Sequence, residues 1–314
     1  GGTGASSGGL HAGVAPGADL IGYGSGAVIF VLDGLGGFDY ALTHQFDNDH
    51  APIRVHTNSW GSSGDFDPND PINVASYMAY RRGITVLFAA GNEGPGEDTH
   101  NPYAQAPWVI SVGAGQKNAT LEDFSSRGVK GEGGSFVVEG ETWTYANEPS
   151  LVAPGVDIVS ARATTGTLPA LAAEQDVATL GADAAFYTVM SGTSMATPHV
   201  AGIVALLLEA NPRLQPQDVK RILQETATNM PGRESWEVGT GYVNAYAAVV
   251  RALGLRTDFG ATVNAARTFN SNAVVVAAGS QDFTIEYNPI TEFEAHAFEV
   301  PEGIAQIKVT AEVQ

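Results

Sequence analysis

The chain has 314 residues, 44% of them hydrophobic, enough for one large domain with a sizeable core and a smaller unit beside it. Its 34 acidic residues against 15 basic ones give a net charge of −19, which argues against nucleic acid or an anionic membrane as partner. Cysteine is absent, so disulfide and thiol chemistry are excluded, and no apolar run reads as a membrane span.

The opening Gly1-Gly2-Thr3-Gly4 and the small residues after it read as the inside of a loop, so more chain is expected upstream. A turn at Gly13-Val14-Ala15-Pro16-Gly17 leads into a strand candidate at 18–23. Residues 27–46 have a helical pattern weakened by Gly34, Gly36 and Gly37. A strand is predicted at 53–59, then a helix at 71–82 that starts on Pro71, ends before Gly83 and carries Val74, Tyr77 and Met78 on one face. Residues 84–90 and 108–113 are continuously apolar strands, as expected where both faces of a sheet are covered. Helices are predicted for the apolar segment after Ser194, for 215–227 behind Pro216, and for 245–253. Strands alternating with helices point to an α/β domain with a mostly parallel sheet and helices on both sides. Helical periodicity stops near Thr257. Residues 1–254 are therefore assigned to the α/β domain and 255–314 to the start of a β-rich, sandwich-like C-terminal module, expected to continue beyond Gln314.

Ser194 sits where the apolar helix starts, a position whose backbone N–H has no partner within the helix and lies at the positive end of its dipole. Such a serine serves equally as a nucleophile or as a plain helix cap. Pro198 lacks an amide proton, so the Ser194 carbonyl loses its helical bond and the first turn should be distorted. Asn92, in Gly91-Asn92-Glu93-Gly94, follows a buried strand at the end where open parallel sheets bind ligands. Its amide can stabilise an oxyanion without titrating, or Asn92 can be a left-handed turn residue. Ser59, Trp60 and Gly61 leave a second strand in the same manner and suit the close approach of an extended peptide, although a flexible loop has the same composition.

Taken together, Gly-Thr-Ser-Met-Ala-Thr-Pro-His-Val-Ala-Gly at 192–202, Ala-Ala-Gly-Asn at 89–92, Asn-Ser-Trp-Gly at 58–61, Phe-Ser-Ser-Arg-Gly at 124–128, Val-Ala-Pro-Gly at 152–155 and Gly-Val-Ala-Pro at 13–16 resemble the subtilisin-like serine proteases, in the family's own order. The resemblance covers roughly residues 1–253 and implies a three-layer α/β/α domain of a secreted endopeptidase acting on protein or peptide substrates. It implies Ser194 as nucleophile, Asn92 and the Ser194 amide as the oxyanion hole, and Ser59, Trp60, Gly61, Ala90 and Gly91 as substrate-binding residues. No cofactor is required in that family, and calcium is a frequent structural ion. Asp65, Asp67 and Asp70 form the candidate oxygen cage for it, although their spacing is not that of an EF-hand.

The family's Asp-Ser/Thr-Gly and His-Gly-Thr-His segments are both absent from the sequence. Of the seven histidines, His11, His44, His50, His56, His100, His199 and His296, none stands in the pattern of the catalytic base. The Asp and His of the triad are therefore expected upstream of Gly1, or on a separate chain packed against this one. The 314 residues alone are expected to be inactive or feebly active, or to bind peptides without cutting them. The motif also differs from the Gly-x-Ser-x-Gly elbow of α/β-hydrolases, since Ala196 stands at its last position.

Overall fold

The computed structural model describes residues 2–24, 30–47, 49–163, 167–230 and 232–254. The C-terminal module assigned to 255–314, with His296, lies outside them. At its centre β1 (Val55–Asn58), β2 (Thr85–Ala89), β3 (Val109–Gly115) and β6 (Leu151–Pro154) form a parallel sheet in the order β1-β2-β3-β6. Val55 aligns with Thr85, Val86 with Val109 and Val112 with Leu151, so the strand ends after Asn58, Ala89 and Gly115 open on one side.

Alternation along each strand divides the core in two. Val86, Phe88 and Val109 face α1 (Val31–Thr43) and α2 (Pro71–Arg81). Leu87, Ile110 and Val112 face α4 (Thr193–Ala210), α5 (Pro216–Glu225) and α7 (Ala245–Ala252). Both faces of the sheet are covered, which is why its strands read as unbroken apolar runs, and the result is the expected three-layer α/β/α fold. By length and composition α4 would suffice to cross a membrane. In this fold it is the central helix, packed across β1, β2, β3 and β6.

Several elements depart from the sequence reading. Residues 18–23 form no strand: they have no ladder partner among the described residues, and Leu20 is 71% exposed. Helix α1 is shorter than 27–46, and its glycines admit aromatic rings. A Cβ on Gly34 would lie 2.6 Å from the Trp60 ring, and one on Gly36 would meet the Tyr23 hydroxyl. The inward face of α2 is Ile72, Ala75, Ser76 and Ala79 together with Tyr77, whereas Val74 and Met78 are exposed. The indole of Trp108 donates to the Ser76 hydroxyl (2.8 Å), which fixes that rotation.

Two antiparallel pairs were not anticipated. The hairpin of β4 (Gly133–Val138) and β5 (Glu141–Ala146) turns at Glu139-Gly140, both at positive φ, and lays Phe136 and Trp143 on the α1/α2 core. Strands β7 (Ile158–Ala161) and β8 (Tyr187–Met190) pair across α3 (Thr167–Leu180). Asp176 of α3 ties them together, accepting from Arg162, Thr188 Oγ1 and the Val189 amide. A last short helix, α6 (Ser235–Val238), precedes α7.

Candidate active site

Ser194 is the second residue of α4, and its hydroxyl donates to the Ser59 carbonyl at 3.1 Å. In return the Ser59 hydroxyl donates to the Ser194 carbonyl at 2.8 Å, the group that Pro198 deprives of its helical donor. The expected defect in the first turn is thus met by a side chain from the end of β1. The Ser194 amide has no acceptor among the described residues.

Asn92 is fixed from its oxygen end. Its Oδ1 accepts from the Thr193 amide and from Thr193 Oγ1, both at 2.9 Å, which leaves Nδ2 as a donor with no partner among the described residues. Thr193, fully buried, also accepts from the Gly91 amide at 3.3 Å, and so joins the β2 exit to the start of α4. Thr193 has no separate place in the sequence reading, although it lies inside the serine motif. The strand-end loop carrying Asn92 is braced by Ser126, whose hydroxyl accepts from the Glu93 amide (3.0 Å) and whose own amide donates to the Gly91 carbonyl (3.0 Å). Gly91 has φ 112°, and a Cβ there would come 2.6 Å from Ser126 Oγ. The remaining motifs have equally local tasks. The Gly155 carbonyl accepts from the Gly192 amide at 2.8 Å, and Gly202 lets α4 approach Val14, whose Cβ would lie 2.8 Å from an added methyl.

The residues expected to form the substrate wall differ in their surroundings. Gly61 keeps its N–H and C=O without partners among the described residues, as a peptide-pairing edge requires. Trp60, half-buried, packs edge-on to Phe88 (5.1 Å) and Tyr103 (5.7 Å), so its ring anchors the loop to the core. Ala90 is buried and both its backbone groups are used, by Val112 O and by the Asn101 amide, so it is floor beneath Gly91. Asn101, absent from the sequence reading, stitches the two strand exits. Its Nδ2 donates to Ala89 O (2.8 Å) and Trp60 O (3.2 Å), its Oδ1 accepts from the Tyr103 amide (3.1 Å), and Gly61 lies against it. The side chain that takes the space beside Gly61 is far along the sequence, which hides the pairing from any local pattern.

No histidine partners Ser194 among the described residues. His56 stacks on Phe38 (4.3 Å) and accepts from Asn58 Nδ2 (2.9 Å), and burial pushes its imidazole down to about 4. His100 is buried between Ser111 Oγ (2.7 Å) and Asn147 Oδ1 (3.2 Å), and desolvation pushes it down to about 4 as well. His11 pairs with Asp183 (3.3 Å), and His199 donates to Met195 O (2.8 Å). All four are occupied as structural groups.

The calcium cage does not fit. Asp67 Oδ1 accepts from the Asn69 amide (2.8 Å), Asp70 caps α2 through the Ile72 amide (2.8 Å), and Asp65, Asp67 and Asp70 do not converge as a three-ligand group. Local turn and cap bonds use the carboxylates of Asp67 and Asp70.

A family model described as the subtilase family, peptidase S8, matches residues 1–243. The chain belongs to the subtilase family. It is 34% identical over 252 residues to the serine protease AprX of Bacillus subtilis, an alignment covering 77% of this chain and 54% of that protein. Fervidolysin of Fervidobacterium pennivorans is 33% identical over 239 residues, covering 73% of this chain and 30% of its own length. Subtilisin Savinase of Lederbergia lenta is 30% identical over 243 residues, covering 75% of this chain and 70% of that protein. This subtilase chain therefore spans about half of AprX and less than a third of fervidolysin. Among solved structures, the prenylagaramide maturation protease PagA shares the fold, with a TM-score of 0.52 at 23% identity over 73% of this chain and 70% of that one.

Proposed function

We propose that this subtilase chain carries the nucleophile, oxyanion and substrate-edge half of a serine endopeptidase site. The observation that carries the reading is the Thr193–Asn92 pair. With Oδ1 held twice, the Asn92 amide offers its NH2 beside the start of α4, where the Ser194 amide is also open. Two preset donors at that place stabilise the negative charge that develops on a peptide carbonyl under attack. Ser194 Oγ bonds to the carbonyl carbon while its proton passes to a base. The tetrahedral oxyanion collapses with loss of the amine, which takes up the proton, and water then hydrolyses the ester on Ser194. The base and the Asp that orients it are assigned to chain upstream of Gly1, or to a separate polypeptide that would co-purify. Gly61, with its free backbone groups, and Ser59 are assigned to the substrate edge.

One observation favours a second reading, a peptide-binding unit that does not cut: the Ser194 hydroxyl donates to a carbonyl, not to a base. A fluorophosphonate probe separates the two. The longer protein that includes the upstream segment is expected to be labelled at Ser194, and its Ser194→Ala variant not at all. The 314-residue chain should label far more slowly, because serine without a base is a poor nucleophile. Equal labelling of both would remove the need for an upstream base. No labelling of the longer protein, with peptide still bound, would leave the binding unit. Secretion rests on the family resemblance alone and is read by whether the protein collects in the culture medium.

A further inference from the structure

The link from α1 to β1 brings Asp47, Asp49 and His50 together, one ligand atom from each lying within 4.8 Å of the others. His50 Nδ1 donates to the Ala51 carbonyl at 2.7 Å, which leaves Nε2 as the ring nitrogen that faces the carboxylates. That Nε2 has under 1 Å² of accessible surface and no hydrogen-bond partner among the described residues. Its nearest charged neighbour is Asp49 Oδ1 at 3.7 Å, too far for a hydrogen bond. Nε2 thus faces two carboxylates without a hydrogen bond to either, an arrangement that a cation resolves. Two metal–ligand bonds of about 2.1 Å at a tetrahedral angle hold their donor atoms about 3.4 Å apart, against 3.7 Å for His50 Nε2 and Asp49 Oδ1, with all three ligand atoms within 4.8 Å of one another. Asp47 is held in turn by His44, whose Nδ1 donates to Asp47 Oδ2 at 2.6 Å, the kind of outer support that orients a ligating carboxylate. Asp49 is 84% exposed on its side chain, so water can complete the coordination.

We propose that Asp47, Asp49 and His50 bind one divalent transition ion of the zinc type. Calcium is the poorer match, because it takes oxygen ligands in larger number and has little use for an imidazole. The ion would clip the α1–β1 link, upstream of the strand that delivers Ser59. This site is independent of the protease reading and needs no activity for its test. The full 314-residue chain, stripped with a chelator, is titrated calorimetrically with zinc chloride, beside its Asp49→Asn and His50→Gln variants and a calcium chloride control. One zinc per chain is expected, with affinity at least about tenfold weaker in each variant and a zinc-dependent rise in Tm confined to the wild type. Absence of zinc binding, equal affinity in wild type and both variants, or calcium matching zinc would overturn the assignment. X-ray absorption of the zinc-loaded wild type decides the matter without a variant: an imidazole nitrogen among oxygen ligands supports the site, and an all-oxygen shell refutes it.

Discussion

Ser194 and Ser59 exchange hydroxyl and carbonyl bonds, and Thr193, next to Ser194 on the same turn, binds Asn92 from the β2 exit, so four polar residues define the start of α4. Asn92 has separable halves. Its oxygen is structural, because it satisfies two donors of Thr193, and its nitrogen is the part available to an oxyanion. Asn92→Asp keeps the acceptor and removes the donor. If, as proposed, a longer protein supplies the base, this variant of it is expected to retain its Tm and KM while kcat falls roughly a hundred- to a thousandfold, the magnitude for subtilisin's own oxyanion asparagine. Steady-state kinetics on a peptide ester, run beside a thermal melt, read both halves at once. A fall in Tm with kcat intact would make Asn92 a structural residue only.

At the scale of elements, the Phe-Ser-Ser-Arg-Gly segment at 124–128 is held to the domain by α6. Arg127 Nη1 donates to Glu237 Oε1 at 2.9 Å, Arg233 shares that oxygen at 2.9 Å, and both Arg127 and Glu237 are buried. Nε and Nη2 of Arg127 have no other partner among the described residues, so its charge depends on Glu237, and desolvation already lowers its affinity for the proton. Removing one member of a buried pair leaves the other uncompensated, so Glu237→Gln is expected to destabilise by about 3 kcal/mol. Chemical denaturation with an unchanged m-value would measure it, and a loss under about 1 kcal/mol would show the pair to be solvated. The same two segments show what a sequence can display. The Phe-Ser-Ser-Arg-Gly string is recognisable by its order, yet its partner 110 residues away leaves no local trace. Strands β2 and β3 were legible because burial on both faces makes them apolar throughout, and α5 and α7 because proline or asparagine marks their starts. The β4–β5 hairpin was missed because half its side chains face solvent and dilute the apolar signal. The face of α2 differs from the expected one because Val74 and Met78 are apolar but exposed, and the rotation is set by the burial of Ile72, Ala75, Tyr77 and Ala79 together with the Trp108–Ser76 bond. Ser194, Asn92 and Gly61 stand out in the sequence as members of motifs, whereas Thr193 and Asn101 act through contacts that motif spacing does not display.

Across the whole molecule, acid stability is set by two opposed terms. The chain carries a net charge of −19, and protonating carboxylates below neutrality relieves self-repulsion. Against this stands His100, 4% exposed, whose imidazole is held down to about 4, with His56 also near 4 but keeping part of its surface accessible. In the unfolded chain both take up protons at about 6.5. Between pH 6.5 and 4 the unfolded state therefore binds protons that the folded state refuses, and stability falls as pH falls through that window. The slope is about 1.4 kcal/mol per pH unit for a fully buried histidine, and most of it belongs to His100. Salt separates the two terms. At about 1 M the screening length is near 3 Å, which removes the repulsion between surface carboxylates but hardly touches a buried ring. Calorimetric Tm values in about 1 M sodium chloride are expected to drop steadily from pH 6.5 to 4. The drop should be shallower in His100→Asn, whose amide can still donate towards Asn147. NMR titration of the wild-type histidines gives the direct reading: the His100 ring stays neutral until about pH 4 or the protein unfolds first. A His100 that titrates near 6.5 in the folded state would show that its pocket admits water and that it contributes nothing to the loss of stability in acid.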